Sequence, residues 1–235
     1  MASDVGLSAT ILKIINSPFY GMSRRISEIK QAVMMLGINT INALVTSTLL
    51  KQSYKGAYCI SMERFWDDAQ DLANAMTFIG NNIKNELPID MLYTVGLFED
   101  CGIPLLAGKY DDYKNLLIKA NEENTNSIAL EEAAYRTNHA ILGYFIATSW
   151  HLPKDICQII LQHHDVNGLY HAGDHKTQLA FAALKAAENM VEVAKRYKLS
   201  ADWPTFEAPV LDVLGLSEDD YGDILDEYSE MYSSI

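Results

Sequence analysis

The sequence predicts an all-α protein, a multi-helix bundle, on two observations. Apolar residues recur at steps of three and four through most of the chain, the spacing of helices with one buried face. No credible stretch alternates with the period of two that a half-buried strand shows. With 235 residues, 49% of them hydrophobic, the chain can bury a sizeable core. Eighteen basic residues stand against thirty-one acidic ones, a net charge of -13. A surface so acidic gains nothing from neutralising phosphates, so neither nucleic acid nor an anionic membrane is an expected partner. No run approaches the roughly 20 apolar residues of a membrane helix. The first residues lack the basic and apolar regions of a signal peptide, which places the expected location in the cytoplasm. Cys59, Cys101 and Cys157 lie far apart, form no Cys-x-x-Cys pair, and read as buried free thiols.

Each element has its own justification. Leu7, Ile11, Ile14 and Ile15 share a face of a first short helix, which Asn16-Ser17-Pro18 closes because a residue before proline is pushed out of the helical region. Phe19-Tyr20-Gly21 reads as an aromatic turn. Ser27 is the expected cap of a second helix with Ile29, Ala32, Val33 and Leu36 inward, ending at Gly37. A third follows at once, capped by Asn39, with Ile41, Leu44, Val45, Thr48 and Leu49 on its inner face. From Ser61 to about Asn82, Phe65, Ala69, Leu72, Met76, Ile79 and Ile83 mark a central core helix, with Trp66 in the core. Thr94–Asp100 is a buried helix stopped by Gly102 and Pro104. Residues 111–123 make a more polar, peripheral helix, and Ser127 caps a short one. Asn138 caps the next, whose inner face is His139, Leu142, Gly143, Ile146 and Trp150. Leu152-Pro153 opens a helix carrying Ile156, Ile159, Ile160 and His163 inward. Residues 165–174 read as a mobile loop. A long helix from about Lys176 turns Leu179, Ala183, Leu184, Ala187 and Val191 inward, with Glu188 beside them. Trp203-Pro204 to Pro209 reads as a break, and Leu216–Tyr232 as an acidic amphipathic helix. The expected organisation is an N-terminal helical part at 1–60, a helical core at 61–200 and an acidic tail at 201–235.

Several of these stretches resemble one family. Leu7-Ser8, Asn16-Ser17-x-Phe19-Tyr20-Gly21, Ile26, Ala32 and Leu36-Gly37, in that order, are similar to the opening of the HDOD domain, an HD-related output domain of bacterial signalling proteins. Phe65-Trp66-x-x-Ala69 is similar to the family's FWxxS/A segment. NHAILGYFIATSWHLPKDICQIILQHHD matches its His, Gly, Trp-x-Leu-Pro and paired-His segment, so the resemblance runs from about Asp4 to Met190. In the family the Asp4–Ser8 segment follows one or more further helices. The resemblance therefore implies a chain that starts inside the domain, N-terminally truncated, with apolar surface to be met by a neighbour or by a second copy in a homodimer.

The chemistry centres on Tyr93–Leu106, where an apolar run ends in Glu99-Asp100. Two acids at the end of a core-facing segment are costly to bury unless a cation, a donor or a partner answers them. VGLFEDCGIPLL resembles the GLLHDIG segment of HD metal-dependent phosphohydrolases, with the histidine replaced by Glu99. The resemblance implies the candidate metal set Asp68, Glu99, Asp100, His139, His163, His164 and Glu188. Of these, Asp100, His139, His163 and His164 keep the residue types of the catalytic branches. Carboxylates in place of imidazoles shift preference from zinc or iron toward harder ions. The plainer readings are acids in a partly solvated groove and core histidines satisfied by carbonyls. Without a metal, converging acids must be protonated or paired to a buried cation. The expected function is a non-catalytic HDOD signalling module with a degenerate HD pocket, no cofactor, and two-component or cyclic-di-GMP signalling proteins as partners. The alternative is a phosphohydrolase or phosphodiesterase using Mg, Mn or Fe, in which metal positions water for attack on a phosphoester.

Overall fold

The computed structural model describes residues 11–13, 15–16, 25–54, 56–83 and 87–234, with the side chains of residues 39, 43 and 47 left aside. Among them no strand occurs, and the chain is helical as its periodicity requires. It divides into two compact units, Met1–Lys55 and Gly56–Ser234.

In the first unit, Ile11 and Ile15 are fully buried. The Asn16 side chain closes their helix by donating to the Leu12 carbonyl at 2.7 Å. It also reaches forward, donating to the Ile26 carbonyl at 2.8 Å and accepting from the Ile26 amide at 2.7 Å. The expected aromatic turn at 19–21 lies outside the described residues, and the expected cap Asn39 is one of the side chains left aside. Helix α1 is Ile29–Ser53, and its N-cap is Glu28 rather than Ser27, with no side-chain cap bond. It is bent by 113° between the arms Ile29–Ile38 and Thr40–Ser53, beside Gly37, which sits at φ 80°. That positive φ is costly for any residue with a Cβ, which is why the helix turns there. Ile41, Leu44 and Thr48 are buried as expected, while Leu49 faces outward and Leu50 takes its place.

The second unit is built on α2 (Met62–Asn82), capped by Ser61, and α3 (Ile89–Phe98). These two pack closely because Gly96 has no side chain: a Cβ there would lie 2.9 Å from the Ala73 Cα. Pro104 does not stop α3 but opens α4 (Ile103–Lys109), since a first helical turn tolerates the missing N–H. Then follow α5 (Tyr113–Glu122), α6 (Ile128–Tyr135), α7 (His139–Ser149), with Asn138 as its cap, and α8 (Lys154–Gln162). Residues 165–174 are not simply a loop. Asp165 caps a short α9 (Val166–His171), held down by the fully buried Leu169. Helix α10 (His175–Arg196) runs through the centre, against α2, α3 and α8. The expected break at 203–209 is instead α11 (Trp203–Leu214), with Pro204 in its first turn and Pro209 inside it. Helix α12 (Glu218–Ser233) has a full capping box between Ser217 and Asp220 and folds back on α10 and α2. Trp203 stacks on Tyr221 at 4.8 Å, and the Tyr221 hydroxyl bonds the Ala186 carbonyl, joining α10, α11 and α12. Among the described residues no single helix is long and apolar enough to cross a membrane.

Candidate functional site

Four chain breaks deliver the site. Helix α3 ends at Glu99-Asp100, α7 begins at His139, α8 ends at His163-His164, and α11 begins just after Asp202. Residues at helix ends can turn side chains inward without interrupting a ladder of backbone bonds. Helix α10 adds Lys185 and Glu188 from its middle. All but Lys185 line one cavity of about 600 Å³ within the second unit.

The three histidines present the same atom to one another. His139 Nε2 lies 3.1 Å from His164 Nε2 and 3.4 Å from His163 Nε2, and 3.3 Å from Asp100 Oδ1. His163 Nε2 lies 3.8 Å from that same oxygen. Each opposite ring nitrogen is engaged by a group that only accepts. His139 Nδ1 donates to Glu131 at 2.9 Å, His163 Nδ1 to the Ile160 carbonyl at 2.8 Å, and His164 Nδ1 to Asp202 at 2.5 Å. The protons therefore sit on Nδ1, and the Nε2 lone pairs converge. Burial, then the neighbouring charges of His164 and His139, holds His163 well below its usual pKa. Burial lowers His164 too, against the pull of Asp202. For His139, burial is outweighed by Glu131 and Asp100, and its pKa rises.

Glu131 is the anchor of His139 and is 0% exposed. Its carboxylate accepts from Tyr113 at 2.7 Å, from Ser127 at 2.6 Å, and from both the backbone amide and the ring of His139. Burial alone would raise its pKa, but the hydrogen bonds from His139, Ser127 and Tyr113 hold it at about 2. Ser127 thus stands at the start of α6 without capping it, its hydroxyl being spent on Glu131.

The acids take a different arrangement. Burial first, then Asp100 and Glu188, pushes Glu99 well above the usual carboxylate range, and burial lifts Glu188 to about 7. Lys185, 1% exposed, bonds Glu188 at 2.5 Å and Asp202 at 3.0 Å. Glu188 and Asp202 hold its ammonium charged despite burial. Against the effect of burial, His164 and Lys185 hold Asp202 far below the usual range. Of the two routes anticipated for metal-free acids, a buried cation is present in Lys185, and the raised pKa of Glu99 and Glu188 favours the other, protonation. Asp68 lies elsewhere on the cavity wall: 45% exposed, it pairs with Lys195 at 2.5 Å and Arg196 at 3.6 Å. The structure therefore brings together six of the seven sequence candidates, sorted into a histidine half with Asp100 and an acid half with Lys185.

The fit to a metal ion rests on the Nε2 separations. Donors about 2.1 Å from one ion lie about 3.0 Å apart at right angles and about 3.4 Å apart at the tetrahedral angle. The contacts of His139 Nε2, at 3.1, 3.4 and 3.3 Å, fall at those values, and that of His163 with Asp100, at 3.8 Å, is wider. A single proton can bridge one pair of lone pairs, whereas a divalent ion satisfies all of them. The three imidazoles suit zinc or iron, and Asp100, which lies 3.3 Å from His139 Nε2, adds a carboxylate that manganese also accepts. Sequence reasoning missed Glu131, Lys185 and Asp202. Lys185 carried a signal, a lone lysine on the alanine-rich inner face of α10. Asp202 and Glu131 looked like ordinary polar residues near helix starts.

Comparison with known proteins agrees with this architecture. The HDOD domain model matches residues 1–166. An uncharacterised protein of Treponema pallidum is 24% identical over 170 residues, covering 71% of this chain but only 32% of its own length. The chain thus spans about a third of that curated relative. Among solved structures, an HDOD domain protein of unknown function from Geobacter sulfurreducens superposes with a TM-score of 0.73 at 22% identity, covering 98% of this chain and 81% of its own. A candidate signal transduction protein from Marinobacter aquaeolei gives 0.74 at 17%, covering 99% and 52%. A candidate phosphohydrolase from Shewanella amazonensis gives 0.71 at 16%, covering 97% and 79%. With most of its length matched by the family model and its helical architecture shared with these structures, the chain belongs to the HDOD domain family.

Proposed function

We propose that this chain is an HDOD signalling module that carries one divalent metal ion and acts by binding rather than by turnover. The observation that carries the reading is the convergence of three Nε2 lone pairs, each ring fixed from behind by Glu131, Ile160 or Asp202. Such outer partners are the usual support of metal-binding imidazoles. When bound, the ion supplies Lewis acidity and a fixed positive charge at the cavity floor. The protein's own groups do the rest. Asp100, from the α3 terminus, faces the same centre, and the cavity of about 600 Å³ above it is large enough for a small ligand. In the acid half Lys185 already pairs with Glu188, beside the Glu99 and Asp100 carboxylates that a second cation would use. That arrangement favours holding a ligand over two-metal hydrolysis. The candidate signal transduction protein with the same fold supports the signalling role.

A second reading, a single-metal phosphohydrolase, is favoured by the histidine half facing an open cavity, and a candidate phosphohydrolase shares the fold. One experiment separates the two. Protein loaded with manganese, iron or zinc is offered a nitrophenyl phosphodiester and cyclic dinucleotides, with turnover and melting temperature read together. A melting shift without turnover supports the binding module. Turnover abolished by Asp100→Ala establishes the hydrolase.

A further inference from the structure

We propose that Lys185 is an internal cation that confines this pocket to a single divalent ion. The inference rests on the metal reading above. The cavity holds two overlapping groups of metal-competent atoms, His139 with His163 and His164, and Glu99 with Asp100 and His163. His163 has one free lone pair and can serve only the first ion, which leaves Glu99 and Asp100, with Glu188 beside them, as carboxylate donors for a second. Lys185 stands against that. Its side chain rises from the middle of α10 between Ala182, Ala183, Ala186 and Ala187, all fully buried, and lies over the Phe206 ring at 4.8 Å. An ammonium so placed is costly unless it is fully paired. Here it takes Glu188 Oε2 and Asp202 Oδ2, oxygens that a neighbouring ion would otherwise draw on. Asp202 also holds His164, so the ammonium and the histidine half share one carboxylate. A second divalent ion on Glu99 and Asp100 would meet the fixed positive charge of a buried ammonium bonded to the neighbouring Glu188. Lysine also differs from a metal in being permanent: its charge is supplied by the fold and does not depend on ion supply.

The test counts bound manganese, a probe that accepts both imidazole and carboxylate donors. Wild type, Lys185→Met and Lys185→Met/Glu188→Gln are dialysed to equilibrium against manganese, and bound metal is measured per chain. The expected counts are one, two and one, with the manganese resonance spectrum of wild type that of an isolated ion. A count of one in folded Lys185→Met overturns the inference and leaves the histidine site standing. Two equivalents in wild type overturn it too. No metal in wild type or variant overturns the histidine site and, with it, this inference. Should Lys185→Met fold only with manganese present, the same count of two is expected in the refolded protein. A variant that manganese does not restore counts against the inference, which requires a divalent ion to take the ammonium's place.

Discussion

At the scale of single residues, the site is a set of imidazoles whose outward nitrogens are fixed so that their inward nitrogens meet. Glu131 is the clearest case, a carboxylate with no exposure that accepts four hydrogen bonds. Glu131→Gln keeps the shape but replaces the charged partner of His139 with a neutral amide that also brings unwanted donors. We expect metal affinity to fall about 10- to 100-fold, read by competition with a chromogenic chelator. The melting temperature should fall as well, by the equivalent of about 2–3 kcal/mol, because Tyr113, Ser127 and His139 all lose a charged acceptor. Unchanged affinity would show that His139 is oriented without Glu131. The histidines themselves were legible in the sequence because their inward position follows from spacing: His163 lies three, four and seven residues from Ile160, Ile159 and Ile156. The supporting residues were not. Glu131 reaches His139 from eight positions back across a helix break, and Asp202 reaches His164 across thirty-eight. No periodicity encodes a contact that depends on how separate helices pack.

At the scale of elements, helix ends aim the chemistry and glycines set how closely the helices approach. Gly102, between α3 and α4, lies against the first turn of α7: a Cβ there would come 2.0 Å from the His139 carbonyl and 2.7 Å from the Gly143 amide. These are backbone atoms that cannot swing aside. Gly102→Ala is therefore expected to destabilise the fold by about 3 kcal/mol and to displace His139, so thermal melting and metal binding should fail together. Gly222 in α12 is the contrast, with nothing within 4 Å of its added Cβ. Gly222→Ala should stabilise by about 0.5–1 kcal/mol without touching the site. Element types and most inner faces followed from the sequence, but proline misled in three places. Pro104 and Pro204 open helices rather than close them, and Pro209 is carried inside α11 at the expense of one backbone bond. Tertiary packing decides such cases: α11 buries Trp203, Phe206, Val210 and Leu211, which outweighs the local penalty.

At the scale of the whole molecule, every residue of the site belongs to the unit Gly56–Ser234. That unit, expressed alone, is expected to give a helical circular dichroism spectrum, melt cooperatively, and bind metal as tightly as the full chain. Loss of binding in the isolated unit would mean that the first unit contributes to the site. The C-terminal helices are integral to this unit, since the loop before α11 supplies Asp202 and α12 packs along α10 and α2. The charge pattern of the sequence is consistent with this picture. Many of its acids lie on exposed helix faces, such as Asp219, Asp223 and Asp226 of α12, while among the buried ones Glu131 pairs with a histidine and Asp202 with a histidine and a lysine.

The most direct measurement is the metal content of untagged protein purified without chelators, determined by inductively coupled plasma mass spectrometry beside a His163→Ala variant. His163 contributes only its Nε2 to the centre and a single backbone bond behind it, and because the ring is buried the variant's cooperative melting is checked beside its metal content. We predict close to one equivalent of zinc, iron or manganese in the wild-type protein and a small fraction of that in the variant. Wild-type protein without metal that also fails to take up added zinc, iron or manganese would contradict the account.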